Sequence, residues 1–254
     1  MVRLMVSALV FGAAIAMVGS TTIQQGVYRD MNYKLLATDI DGTITDEKGR
    51  IHLKAVETIR GLEERGIPVA LVSGRPLPFV ESLALFMGTS GPVIAENGAV
   101  AKLGGKIFKM GDPQAAQEAM ALLKTKFPLE LDDDNRYRMV DVSIQLGMDP
   151  EKIRQVIWEA QLPVNLLVTN VMFHLVDNRV SKGRTLLKVL GDIGVNPEET
   201  VVCGDSYNDL PLFETGAFRV AVGNAEPTLK AKADRVARLP YGEGFAEAVR
   251  EIFL

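Results

Sequence analysis

Short apolar stretches recur along this chain, each closed by a turn that carries polar or charged groups. The first, Leu35-Leu36-Ala37-Thr38, runs into Asp39-Ile40-Asp41-Gly42-Thr43, the pattern of a buried strand ending in a functional turn. Leu53, Val56, Ile59 and Leu62 then recur at near-helical spacing, which predicts a helix over about 52–65 stopped by Gly66. Pro68 to Val72 is a second apolar strand. Strand, helix and strand in that order imply a parallel pair with a right-handed crossover. The second strand ends in Ser73-Gly74-Arg75-Pro76, and another helix follows to about Met87. Pro92 to Ala95 reads as a third strand that runs into the hairpin chemistry of Glu96-Asn97-Gly98, with 99–110 as the outer part of that hairpin.

From Gly111 to about Val176 the rhythm changes. A helix (115–126), an acidic turn (Asp132 to Asp134), a strand (137–146), a helix (151–160) and two strands (164–168 and 172–176) around Thr169-Asn170 suggest hairpins in place of parallel units. This is the signature of a separate α+β domain inserted into the first. Parallel alternation then resumes. Ser181 caps a helix to about Leu190, Thr200 to Cys203 is a strand, Arg219 to Val222 is another, and a helix over 244–253 closes the chain. The expected fold class is therefore α/β, a Rossmann-like parallel-sheet core (31–110 and 177–254) carrying an inserted α+β domain (111–176).

Composition changes this picture little. The chain has 254 residues, 47% hydrophobic and 24% charged, enough apolar sequence for a large core. A net charge of −4 gives no nucleic-acid footprint, so a phosphorylated partner has to be attracted by a local site. One cysteine, Cys203, excludes an intrachain disulfide and reads as a buried strand thiol. Residues 1–30 stand apart: from Leu4 to Gly19 they are uncharged and mostly apolar, which fits a signal peptide or weak signal anchor. The alternative is a start placed too far upstream, with Met31 opening the domain. The second reading is the expectation, and with it a cytoplasmic protein without a membrane partner.

In an open parallel sheet, ligands bind at the carboxyl ends of the strands. Three predicted strand ends carry Asp39 and Asp41, Ser73, and Asp205 with Asp209, and Lys182 sits in the first turn of a helix, where a cation opposes the dipole unless it meets an anion. Carboxylates gathered at one edge repel one another and ask for a divalent cation. Oxygen-only ligands beside a phosphate argue for Mg²⁺. His52 and His174 make no zinc set. A hydroxyl and free N–H groups at a helix entrance, as at Ser73, cap the helix and also bind phosphate oxygens.

Asp39-Ile40-Asp41-Gly42-Thr43, Ser73-Gly74-Arg75, Ser181-Lys182-Gly183 and Gly204-Asp205-Ser206-Tyr207-Asn208-Asp209, in that order, resemble the four motifs of the haloacid dehalogenase-type phosphatases. The block between the second and third motifs resembles the α+β cap of the Cof-type branch. The compact cap and the stretch from Ser90 to Gly98 look closest to the archaeal phosphoglycolate phosphatases. The resemblance spans Asn32 to Leu254.

It implies that Asp39 is the nucleophile, forming an aspartyl-phosphate, and that Asp41 is the general acid and base. It further implies Mg²⁺ held by Asp39, the backbone carbonyl of Asp41 and Asp205, with Asp209 either a further ligand or a support for these. Ser73, the N–H groups of Gly42 and Gly74, and Lys182 would bind the phosphoryl oxygens, Thr43 would brace the loop, and Asn208 would orient Lys182 or Asp209. The implied substrate is a small phosphorylated metabolite, 2-phosphoglycolate foremost, with a sugar phosphate or a phosphomutase reaction as alternatives. His174, Arg179, Arg136 and Arg138 are candidates to meet a substrate carboxylate. A phospho-acceptor signalling module is the competing class. It would need neither the inserted domain nor this length, and it would trap one phosphate where an enzyme turns over.

Overall fold

In a computed structural model, the residues described are 32–169 and 171–254, so the expectation for the N-terminal extension and the Asn170 position of one predicted turn lie outside them. Strand β1 (Leu35–Asp39) is buried at every position and lies mid-sheet, apolar from Leu35 to Ala37, with the Thr38 hydroxyl satisfied by the Asp39 carbonyl and Asp39 at its end. It pairs in parallel with β2 (Val69–Val72) on one side and with β9 (Thr200–Gly204) on the other. From β2 the sheet continues through β3 (Val93–Ala95) to the antiparallel strands β4 (Val100–Leu103) and β5 (Lys106–Lys109). From β9 it continues in parallel through β10 (Phe218–Ala221) to the two-residue β11 (Arg235–Val236), which the sequence pattern was too short to reveal. The spatial order is thus β11-β10-β9-β1-β2-β3-β4-β5, and the direction of winding reverses at β1. That reversal opens the crevice in which ligands of such sheets bind, and Asp39 stands at its edge.

Helices α1 (Leu53–Glu63) and α2 (Leu77–Met87) make the first two crossovers. The His52 side chain caps α1 by accepting from the Lys54 N–H, and Gly88 ends α2 in the left-handed conformation that glycine adopts without strain. Helix α5 (Lys182–Ile193) starts at Ser181, whose hydroxyl accepts from the Arg184 N–H, and the chain closes with α6 (Tyr241–Phe253). Cys203 is fully buried in β9, and burial pushes its thiol pKa up.

Between β5 and α5 lies a second, three-stranded antiparallel sheet of order β6-β8-β7, formed by β6 (Val142–Gln145), β7 (Val164–Val168) and β8 (Met172–Asp177). Helices α3 (Pro113–Lys126) and α4 (Pro150–Glu159) cover it. Ala115, Ala119 and Leu123 of α3 and Ile153 and Ile157 of α4 pack on Ile144, Leu166, Phe173 and Leu175, an apolar cluster separate from that of the larger sheet. The strand predicted over 137–146 shrinks to Val142–Gln145 because its first half does other work. Residues 133–137 form a 3-10 turn capped by the Asp132 side chain, and 139–141 turn their N–H groups to Glu96. Among the described residues no helix is long and apolar enough to cross a membrane.

Candidate active site

Lys182 is the centre of the cleft. Its stem is buried and its Nζ donates to Asp39 Oδ1 at 2.7 Å and to Asp209 Oδ1 at 2.6 Å. Its helix is brought there by a close backbone approach: Gly98, at φ +98°, lies where a Cβ would meet Ser181 backbone atoms at 2.5 Å, and the Thr185 hydroxyl donates to the Gly98 carbonyl at 2.6 Å. Burial would lower the Lys182 pKa, but the Asp209 and Asp39 carboxylates outweigh it and raise it, so the ammonium stays charged.

Asp39, Asp205 and Asp209 each offer a carboxylate oxygen, all within 4.8 Å of one another. Burial, then the Asp209 charge, raises Asp39 well above the usual carboxylate range, and the same two causes push Asp205 up to about 7. Three carboxylates against one ammonium leave two negative charges uncompensated, and that excess is what a divalent cation would neutralise. The donor set is all oxygen, so it fits a hard cation. Asp209 is largely spent on structure, because its second oxygen accepts from the Asp205 and Ser206 N–H groups at 3.1 and 3.2 Å. The Thr43 hydroxyl lies 3.3 Å from Asp39 Oδ2 and 3.2 Å from Asp205 Oδ1, bracing both.

Gly42 is forced to be glycine twice over, by φ +88° and because a Cβ would lie 2.2 Å from Asp205 Oδ2. Its N–H, expected to hold a phosphoryl oxygen, instead donates to the Thr45 hydroxyl at 2.8 Å, and its carbonyl accepts from Asn224 Nδ2 at 2.9 Å. Thr45 and Asn224 were not among the sequence candidates, and neither belongs to a motif that would have marked it. Ser73 is buried, and its hydroxyl accepts from the Arg75 N–H at 3.1 Å. Its proton can still be donated to a ligand. Asn208 also departs from expectation: its Oδ1 accepts from the Ser206 hydroxyl, and among the described residues its side chain forms no bond to Lys182 or Asp209.

Asp41 stands apart from the carboxylate cluster. Both of its oxygens accept from one guanidinium, Arg75 Nε at 2.8 Å and Nη2 at 2.7 Å. A third group of residues joins the second sheet to the site. Glu96, at the end of β3, is buried at φ +50°, and its carboxylate accepts from the N–H groups of Met139, Val140 and Asp141 at 2.9–3.1 Å. Burial first, then the charge of Asp141, pushes its pKa up to about 7 against the pull of those three donors.

Arg138 donates to Asp134, to Asp141 and to the Gly74 carbonyl, the last at 3.0 Å. His174 Nδ1 lies 3.2 Å from Asp141, and Arg179 grips Asp177. Three of the four candidates for a substrate carboxylate are therefore committed to internal partners. The guanidinium of the fourth, Arg136, lies 4.8 Å above the Tyr137 ring.

Residues 36–132 and 142–249 match the family of haloacid dehalogenase-like hydrolases. The chain is 38% identical over 217 residues to a phosphoglycolate phosphatase of Methanothermobacter thermautotrophicus, covering 85% of this chain and 97% of that protein. It is 40% identical over 227 residues to a phosphoglycolate phosphatase of Methanoculleus marisnigri, covering 87% and 97%. Its fold is similar to a crystal structure of a protein from Thermoplasma acidophilum, with a TM-score of 0.80 at 29% identity over 87% of this chain and 98% of that one. With the motif-bearing strand ends gathered at one sheet edge and both sheets spanned by these matches, the chain belongs to the haloacid dehalogenase-like hydrolase family.

Proposed function

We propose that this phosphatase hydrolyses a small phosphate monoester, 2-phosphoglycolate foremost, through an aspartyl-phosphate on Asp39, with Mg²⁺ as its cation and the cytoplasm as its compartment. The observation that carries the reading is the convergence of Asp39, Lys182, Asp205 and Asp209 at the end of β1, with more negative charge than the chain itself neutralises. Asp39, Asp205 and Asp209, with the backbone carbonyl of Asp41, would hold the cation. Bound there, it supplies positive charge opposite the phosphoryl oxygens.

A carboxylate oxygen of Asp39 attacks phosphorus, and the bond from phosphorus to the ester oxygen breaks as that oxygen takes a proton from Asp41. A water molecule then gives a proton to Asp41 and attacks the same phosphorus, which releases inorganic phosphate and restores Asp39. Lys182, the Ser73 hydroxyl and the Gly74 N–H stabilise the phosphoryl oxygens, which carry most of the charge in a loose transition state. Gly42 acts by a different route, letting the loop press against Asp205.

The substrate class is supported by the two relatives described as phosphoglycolate phosphatases at 38% and 40% identity. The test is phosphate release with Mg²⁺ over a panel of 2-phosphoglycolate, sugar phosphates and nucleotides, before and after chelation. Many turnovers per chain, highest on 2-phosphoglycolate and abolished by chelation, are the expected result. A single phosphate trapped per chain would instead mark a phospho-acceptor module.

A further inference from the structure

The leaving oxygen of the substrate has to come within hydrogen-bond reach of Asp41 if that residue is to protonate it. Whatever else the leaving group carries within two or three bonds is then presented to the neighbours of Asp41. The neighbour in direct contact is Arg75, whose Nε and Nη2 hold both Asp41 oxygens in a two-pronged pairing.

Of the other cations around the cleft, three are held by internal acceptors and the fourth, Arg136, lies over the Tyr137 ring. Lys182 is buried between two carboxylates, Arg138 is buried among Asp134, Asp141 and the Gly74 carbonyl, and Arg179 is bound to Asp177. The Arg75 side chain is 55% exposed and that of Asp41 is 41% exposed. An ion pair so open to water contributes little to stability, so exchanging one carboxylate for another across it costs little. The planar guanidinium offers an incoming carboxylate the same geometry that Asp41 now occupies. Arg75 is also fixed at its base: its N–H donates to the Ser73 hydroxyl, and its carbonyl accepts from the Glu96 N–H at 3.0 Å. The guanidinium thus hangs from the same loop that presents Ser73 and Gly74.

We propose that Arg75 is the specificity residue for a carboxylate on the leaving alcohol, and that by exchanging Asp41 for that carboxylate it releases Asp41 to take up a proton from water and pass it to the leaving oxygen. This rests on the reading of the chain as a phosphomonoesterase and narrows its substrates to esters whose carboxylate lies close to the ester oxygen. An ester without that carboxylate leaves Arg75 on Asp41 and the acid engaged. Substrate recognition and release of the acid are then one event.

The experiment compares 2-phosphoglycolate with ethyl phosphate, which has the same two-carbon leaving group without the carboxylate. For turnover, the readout is the ratio of kcat/KM on the two esters. In the unaltered protein it should favour 2-phosphoglycolate, R75A should lower it about 100-fold, and R75K, which keeps charge without the planar pair of donors, should recover part of that loss. A second readout needs no chemistry. In Asp39→Asn, calorimetric binding should favour 2-phosphoglycolate over ethyl phosphate, and that preference should vanish in Asp39→Asn combined with R75A.

A preference that survives R75A in either readout overturns the proposal, as does an unaltered protein that does not distinguish the two esters. Failure of the phosphomonoesterase reading looks different, with no phosphate released from any ester while the binding comparison still reports on Arg75. Melting curves of R75A and R75K matching the parent exclude loss of fold, as the exposure of the side chain leads one to expect.

Discussion

Replacing Glu96 with alanine removes the one acceptor shared by three consecutive backbone N–H groups. Met139 is half-buried and can turn to water, but Val140 and Asp141 are buried and cannot. An orphaned buried donor costs about 1–3 kcal/mol, so two cost about 2–6 kcal/mol. Some of that is returned, since the Glu96 carboxylate no longer faces Asp141 across a dry interior. A net loss of about 3 kcal/mol corresponds to roughly a 100-fold increase in local opening, at about 1.4 kcal/mol per factor of ten.

Amide hydrogen exchange resolved at residues 139–141 is the direct assay. These three amides should exchange about 100-fold faster in Glu96→Ala, while amides of β9, in the larger apolar cluster, should keep their protection. Unchanged exchange at 139–141 would refute the idea that Glu96 clamps this segment. Equal acceleration everywhere would show that the loss is global and that the clamp has no local meaning.

Asp39→Asn should lower turnover by on the order of 10⁴-fold or more, as removal of a nucleophile does, with the fold retained by circular dichroism; near-normal phosphate release would remove Asp39 from that role. Asp205→Asn should raise the concentration of Mg²⁺ needed for half-maximal activity, since it withdraws one of two uncompensated negative charges, and an unchanged requirement would take Asp205 out of the cation site. Glu96, with a pKa raised from near 4.5 to about 7, keeps in the folded chain a proton that the unfolded chain has lost, so stability should fall as pH rises across that window. The fall is at most about 3 kcal/mol, at 1.36 kcal/mol per pKa unit. Denaturation midpoints across pH should show a flatter slope for Glu96→Gln, and an identical slope would refute the assignment.

The parallel strands were legible because a strand buried on both faces has no choice but an apolar run: β1, β2 and β9 announce themselves, and the groups that follow each run are the ones gathered in the cleft. The strands β7 and β8 were legible too, through hairpin spacing. Contacts between segments far apart in sequence were not legible. Nothing in Tyr137 to Asp141 shows that these residues give up strand pairing to serve a carboxylate some 40 positions earlier. Nothing at Gly42 shows that its N–H is taken by Thr45. Arg138 and His174 had the right chemistry for a substrate carboxylate, and only the fold reveals that Asp141 already claims both. Conversely, Arg75 lay inside a motif whose serine and glycine drew attention, and its contact with Asp41 depends on how two loops meet.

The polypeptide leaves the larger sheet at Asp112 and returns at Asp177, and there the Asp112 N–H donates to Asp177 Oδ2 at 2.9 Å. Gly111 tightens the same knot, since a Cβ there would press on Asp177 and Val180 at 2.9–3.0 Å. Departure and return therefore share one doorway, and everything from Pro113 to Val176 is a detour that starts and finishes at the same threshold. Because the two crossings lie side by side, a change of length inside the detour leaves their spacing unaltered, while the Glu96 clamp and the Arg138 bond to Gly74 still moor its interior to the larger sheet.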